Sequence, residues 1–306
     1  MNYQNTAGGK ALIAQMVEEH GFDRDELSAV IGKAQRQDSI LEAIARPAEK
    51  AKPWYEYRKI FVTKKRRDAG VAFYKEHEAT LKRAAKEYGV PAEIIVAIIG
   101  VETYYGRIAG RYKVLDALST LAFDYPKRSP FFTKELKHYL LLTREQGQDP
   151  AVLTGSYAGA MGYGQFMPSS YRNYAVDFDG DGKVDIWHNP VDAIGSVANY
   201  FKRHGWKTGE EVVAPAVLGK NVPISLFNDG LKPKHTLGEY AAEGLTTPMR
   251  LPADTPATAI RFEQQKGYSY WLGLPNFYAI TRYNHSAMYA MCVYQLSQSI
   301  ARELNQ

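Results

Sequence analysis

Residues 91–103 read Pro91-Ala92-Glu93-Ile94-Ile95-Val96-Ala97-Ile98-Ile99-Gly100-Val101-Glu102-Thr103. A helix this apolar on every side has no face to offer water, so it is expected in the core, opened by Pro91 at its first position. Glu102 is then carried out of the core at the helix C-terminal end. A carboxyl placed there and followed by Tyr104 and Tyr105 is poorly solvated when charged, and its pKa is expected to rise toward neutrality. A carboxyl that keeps its proton at working pH can pass it to a leaving oxygen, the general-acid role in glycoside cleavage. A solvated or ion-paired glutamate in a last turn is the plainer alternative.

Upstream of this helix, spaced apolar residues over 11–45, among them Leu12, Met16, Leu27, Ile31 and Ile40, predict two short helices. Asp23 with Glu26 makes a capping box, and Pro47 supplies a stop. An aromatic segment, Pro53-Trp54-Tyr55-Glu56-Tyr57, precedes one long helix expected over 65–88 and ended by Gly89. Downstream, helices are expected over 116–123, 131–144, 190–202 and 285–304. After Gly209 the sequence grows richer in Pro, Gly, Val and Thr, with strand-like pieces at 211–217 and 257–262. The chain therefore reads as α+β, mainly α. It divides into an α-helical region at 1–90, a core at 91–208, a small β-containing region at 209–262 and a C-terminal segment at 263–306.

The 306 residues carry a formal charge of +5, which suits a polyanionic partner without choosing one. Lys64-Lys65-Arg66-Arg67 fits a solvated helix face, and no nucleic-acid-reading signature is present, so nucleic acid is set aside. No apolar run approaches the eighteen or so residues of a membrane-spanning helix. The single cysteine, Cys292, excludes an internal disulfide and reads as a small buried hydrophobe. The opening Met1-Asn2-Tyr3-Gln4-Asn5-Thr6 lacks a basic start and an apolar stretch, which suits a cytosolic chain or a processed one. The seven histidines show no H-E-x-x-H spacing, and no nucleophile elbow occurs, so zinc and serine hydrolase chemistry have no residues behind them.

Three further features bear on chemistry. Gly155-Ser156-Tyr157-Ala158-Gly159-Ala160-Met161-Gly162-Tyr163-Gly164-Gln165-Phe166 interleaves glycines with rings and an amide. Such a loop lets backbone approach a ligand closely and suits sugar rings; a packing turn is the alternative. Asp177-Phe178-Asp179-Gly180-Asp181-Gly182-Lys183-Val184-Asp185 matches the opening of an EF-hand calcium loop. Asp177, Asp179 and Asp181 fall at positions one, three and five, Gly182 at six, Lys183 at seven and Asp185 at nine. Position twelve is His188 in place of the usual glutamate, the next carboxylate being Asp192, and an Asx-rich turn is the alternative. A structural calcium ion is expected and no organic cofactor. Finally, Tyr57, Tyr200, Tyr283 and Tyr289 stand in polar company among 22 tyrosines and would stack on sugars if they lined a groove.

With these pieces assembled, the chain resembles the lytic transglycosylase B family. The resemblance runs from about Pro91 to Gln298 and rests on Ile98-Ile99-Gly100-Val101-Glu102-Thr103, Gly159 through Tyr171, Asp192 through Phe201, and Asn276-Phe277-Tyr278 with Arg282-Tyr283-Asn284-His285-Ser286. It implies a lysozyme-like catalytic core with an α-helical N-terminal domain and a small β-containing part around a groove. Glu102 would be the sole catalytic carboxyl, acid first and base second, cleaving between N-acetylmuramic acid and N-acetylglucosamine to leave a 1,6-anhydro end. Ser156, Met161, Gln165, Tyr200, Tyr283, Asn284 and Tyr289 would line the groove, with Tyr57 from the N-terminal part. Asp192 would complete the calcium loop at 177–192. The resemblance further implies peptidoglycan strands as partner, other cell-wall enzymes as company, a monomer, and the periplasm, with an outer-membrane lipoprotein as the full-length form. Two other classes stay open: a muramidase using water, which would need a second carboxylate roughly 5 to 9.5 Å from Glu102, such as Asp116 or Asp124, and a non-catalytic peptidoglycan-binding protein.

Overall fold

The computed structural model describes residues 2–46 and 52–306. The stop expected at Pro47 lies outside the described residues. The chain divides into two compact units, Met1–Glu49 with Glu102–Ser196 and Lys50–Val101 with Val197–Gln306. This cuts across the linear division at 90, 208 and 262. The reason for the first unit is visible in its hydrogen bonds: Asp116 accepts from the Gln35 amide at 2.9 Å, and Thr120 Oγ1 accepts from the Gln37 amide at 3.1 Å. Polar groups on a later helix thus satisfy the backbone where the N-terminal helices end.

In the first unit the N-terminal stretch forms three helices, Ala7–His20, Arg24–Lys33 and Asp38–Ala45, where two were expected. Asp23 caps the second as predicted, its side chain accepting from the Glu26 amide. The extra break falls at residues 34–37, where the freed backbone donors find Asp116 and Thr120. Helices Val114–Asp124 and Ser129–Glu145 pack on each other and bury Leu118, Leu121, Phe132, Leu136 and Tyr139. Pro168–Tyr174 adds a short helix not anticipated, anchored by Ser169, whose amide and hydroxyl both donate to buried Glu135.

The second unit contains Trp54–Phe61, Lys64–Glu76 and Glu78–Tyr88, so the long helix expected over 65–88 is two. His77 serves both, its amide donating to Phe73 and its carbonyl accepting from Leu81. Gly89 closes the second in a left-handed conformation, as expected. The apolar helix is Ala92–Thr103; residues 94 to 100 are all buried, and Pro91 sits one place before the first turn, its carbonyl accepting from Ile94 and Ile95. An antiparallel sheet orders Val213–Pro215, Tyr268–Gly273, Pro256–Glu263 and His235–Thr236. The strand-like piece at 257–262 is therefore real, while the β region reaches past 262 because Tyr268–Gly273 pairs on both sides. Helices Pro275–Tyr283 and Ala287–Leu304 follow. Cys292 is fully buried, and burial pushes its thiol up to about 12, as befits an inert core residue. Among the described residues no helix is long and apolar enough to cross a membrane.

Candidate active site

Glu102 is half-buried, one residue from the end of the apolar helix. The helix end is held by its neighbour. Thr103 is buried, its hydroxyl donating to the Tyr163 carbonyl at 2.8 Å and accepting from the Gly106 amide at 2.9 Å. The next two residues, Tyr104 (φ 50°) and Tyr105 (φ 61°), lie in the left-handed region, as does Gln165 (φ 54°). Non-glycine residues pay for that conformation, and a tyrosine more than the asparagines that share it at Asn221 and Asn228. Strain thus collects around one carboxyl, in a turn that its surroundings hold in place.

The glycine-rich loop is the other half of this arrangement. Ser156 Oγ accepts from the amides of Ala158 and Ala160, and Met161 and Phe166 exchange both backbone hydrogen bonds. Gln165 Nε2 donates to the carbonyls of Gly162 at 3.0 Å and Ala109 at 3.1 Å, tying the loop to the turn after Glu102. Gly110 (φ 98°) lies against the Gly155 carbonyl so closely that a Cβ would sit 2.1 Å from its oxygen. A side chain there would drive the two segments apart. The stretch of glycines beside amides thus marks a loop laid directly on the Glu102 turn. Ser156 and Gln165 are partly exposed there. Met161 is not: it exposes no surface, so its place is beneath the loop and not on a groove wall.

In the second unit Tyr200 and Tyr283 belong to one aromatic cluster, their ring centroids 4.7 Å apart, and Tyr200 also stacks on His204. The Tyr200 hydroxyl donates to the Arg282 carbonyl at 2.7 Å, which fixes the end of the Pro275–Tyr283 helix. Asn284 is exposed just beyond it. Tyr289 is buried in the first turn of Ala287–Leu304, its amide held by Ser286 Oγ. Tyr57 is half-buried on Trp54–Phe61 with its ring 5.5 Å from that of Phe61. Asn276 is fully buried and bonds the backbone of Lys207 and Glu210.

Asp116 and Asp124, the carboxylates considered as partners for Glu102, are engaged elsewhere. Asp116 serves Gln35 and Gln37, and Asp124 accepts from the Tyr3 hydroxyl at 2.5 Å with Arg36 at 3.7 Å. Both stabilise the packing of the N-terminal helices.

Carboxylates of Asp177, Asp179, Asp181 and Asp192 converge within 4.8 Å of one another. Asp192 has no exposed surface; it accepts from the Phe178 amide at 2.8 Å and the Asp185 amide at 2.9 Å, and so closes the loop. Asp185, expected as a ligand at position nine, lies outside this group and instead accepts from the amides of Trp187 and His188. Lys183 donates its amide to Asp181, and its side chain is exposed. Burial, with the Asp179 and Asp177 carboxylates nearby, raises the Asp192 pKa against the two amides that lower it. Asn189 donates to Asp179 at 2.7 Å and holds its carboxyl below the ordinary range. Four carboxylates turned together in this way suit a hard divalent cation with oxygen ligands.

A protein family described as "Transglycosylase SLT domain" matches residues 5–298. The chain is 48% identical over 309 aligned positions to membrane-bound lytic murein transglycosylase B of Escherichia coli (strain K12), covering 98% of this chain and 84% of that protein. It is similar to the X-ray structure of catenated lytic transglycosylase SltB1 from Pseudomonas aeruginosa, at 55% identity and a TM-score of 0.96, covering 99% of each chain. It is also similar to Escherichia coli lytic transglycosylase Slt35 in complex with calcium, at 48% identity and a TM-score of 0.90, covering 99% of this chain and 95% of that one.

Proposed function

The chain belongs to the transglycosylase SLT domain family and is a peptidoglycan lytic transglycosylase of lysozyme-like fold, and we propose that Glu102 performs its chemistry. In the first step the protonated Glu102 carboxyl gives its proton to the oxygen between N-acetylmuramic acid and N-acetylglucosamine, and the bond from that oxygen to the muramic C1 breaks. The resulting carboxylate then takes the proton of the muramic C6 hydroxyl as O6 bonds to C1. One side chain serves as acid and base, its proton is restored, and no water is consumed. The observation that supports this most is the pinned turn: a half-buried carboxyl at the exit of an apolar helix, followed by two strained tyrosines and clamped through Thr103. The engagement of Asp116 and Asp124 elsewhere favours transglycosylation over hydrolysis with a second carboxylate.

The groove assignments follow the same reading. Within the first unit Ser156 and Gln165 face substrate from the glycine-rich loop; within the second, Tyr57, Tyr283 and Asn284 supply rings and an amide for glycan, with Tyr200 packed on Tyr283 and Tyr289 buried. Met161 supports the loop from below. Glycan strands of peptidoglycan are the partner, and the periplasm, where that polymer lies, is the compartment.

Asp177, Asp179, Asp181 and Asp192 would hold a calcium ion, whose part is to neutralise their mutual repulsion and rigidify the segment that leads into Pro190–Arg203. At a calcium concentration a hundredfold above the dissociation constant, the melting temperature is expected to rise by roughly 5 °C. Asp181→Ala should erase the gain while leaving cleavage by the folded enzyme in place; an unchanged melting temperature in the wild type rejects the site.

The gain has a defined pH dependence. With its folded pKa raised, Asp192 favours the calcium-free fold below the ordinary carboxylate range and loses that contribution as pH rises through the raised value. Calcium needs the ionised form. Its stabilising effect should therefore be largest near neutrality and shrink as pH falls, as thermal melts with and without calcium at several pH values would record.

A further inference from the structure

Behind the helix Trp54–Phe61, in the second unit, lies a cavity of about 720 Å³ lined by Trp54, Trp271, Arg58, Lys59 and Lys266. A second cavity of about 390 Å³ shares Arg58, Trp271 and Gln295 with it and adds Arg302. Together they form one trough along the helix, the strand Tyr268–Gly273 and the helix Ala287–Leu304. Among the described residues no aspartate or glutamate lines either cavity, against four cations. Arg58 Nε donates to Gln295 Oε1 at 2.7 Å, which fixes the guanidinium at the seam of the two. Trp271 is tied by its indole to Ser269 at 3.2 Å, and the same hydroxyl accepts from Gln264 at 3.0 Å. Trp54 is buried against Phe262, with ring centroids 4.7 Å apart.

The chemistry that meets this lining is an anion with amide groups: cations take carboxylates, glutamines and serine take amides, and indoles cover the apolar parts of a short chain. In peptidoglycan, the glycan bears such a group as the peptide stem on each muramic acid. Trough residues 54, 55, 58, 59 and 62 lie on one side of the helix, and Tyr57 lies away from it by helical spacing. A five-residue stem spans at most about 17 Å, and a helix with its side chains is about 10–12 Å across. A stem hung from a sugar beside Tyr57 therefore reaches the trough. We infer that this trough binds the carboxylates of the peptide stem and so makes the enzyme favour peptide-bearing glycan over bare strands. The inference rests on the glycan-cleaving reading, and its test is independent of turnover.

Isothermal titration of the full chain with a synthetic stem pentapeptide measures the trough directly. The wild type is expected to bind saturably, more weakly as salt is raised. Lys59→Glu combined with Lys266→Glu should weaken binding by about tenfold or more. The same variant should keep its melting temperature and its rate on peptide-free glycan, while its KM on peptide-bearing glycan rises severalfold. Absence of saturable binding by the wild type, or equal binding by the variant, overturns the inference. So does binding to phosphatidylglycerol vesicles with none to the pentapeptide, which would assign the cations to a lipid surface. If Glu102→Gln protein still cleaves yet the pentapeptide binds, the catalytic assignment falls and the trough stands; cleavage lost in Glu102→Gln with no peptide binding gives the reverse.

Discussion

Glu102→Gln is expected to lower the rate of glycan cleavage by at least about a thousandfold, close to 4 kcal/mol of transition-state stabilisation. The amide keeps the shape of the carboxyl but has no proton to give to the bridging oxygen and cannot remove one from the C6 hydroxyl. Both halves of the reaction fail together, so the loss should exceed that of an enzyme with separate acid and base. Stability should change little, because a half-buried side chain at a helix end contributes little to the core. A melting curve like that of the wild type, beside lost release of soluble muropeptides from sacculi, is the expected pair of results.

The second large effect is expected at Thr103. Its buried hydroxyl is the link between the turn after Glu102 and the glycine-rich loop, donating to Tyr163 and accepting from Gly106. Thr103→Val keeps the volume and leaves a carbonyl and an amide without this partner, at a cost of about 2–3 kcal/mol of stability. The strained backbone at Tyr104 and Tyr105 persists only while its surroundings over-determine it. Loss of the clamp should let it relax and carry Glu102 away from its position. Cleavage by the folded variant should fall by roughly a hundredfold, since misplacement by about an ångström is enough for that. The fall should appear in kcat more than in KM, with Thr103→Ser restoring most of it. Equal activity in Thr103→Val and wild type would show that the clamp is structural alone.

The parts legible in the sequence share one property: their signal is local. The apolar run over residues 94–99, the Asp23 cap, the left-handed Gly89 and the clustering of the alternating aspartates each declare themselves within a few residues. What escaped depends on partners distant in the chain. Trp54 at the start of the helix Trp54–Phe61 packs against Phe262, far along the chain. The break at residues 34–37 is stabilised by Asp116 and Thr120, more than seventy positions away. Strand Tyr268–Gly273 has an edge on each side, and neither neighbour is implied by its own composition.

The same division applies to the site. Glu102 could be singled out because an apolar helix delivers it, and the acidic loop because its spacing is regular. Thr103 has no signal of its own, since a threonine after a glutamate is silent until Tyr163 and Gly106 are brought to it. The strained φ values of Tyr104, Tyr105 and Gln165 have no sequence signal, as tyrosine and glutamine do not favour that conformation. Asp185 fits position nine by count, yet two local amides claim it. Met161 lies among residues of the right type and is nevertheless below the surface.

The mass of the fragments released from sacculi in heavy-oxygen water tests the central claim most directly. If one carboxyl moves a proton from the C6 hydroxyl to the leaving oxygen, every new muramic end is an anhydro sugar, one water lighter than a reducing end, and carries no heavy oxygen. Reducing ends labelled from the solvent would mean that water attacks C1, and the assignment of Glu102 as acid and then base would be wrong.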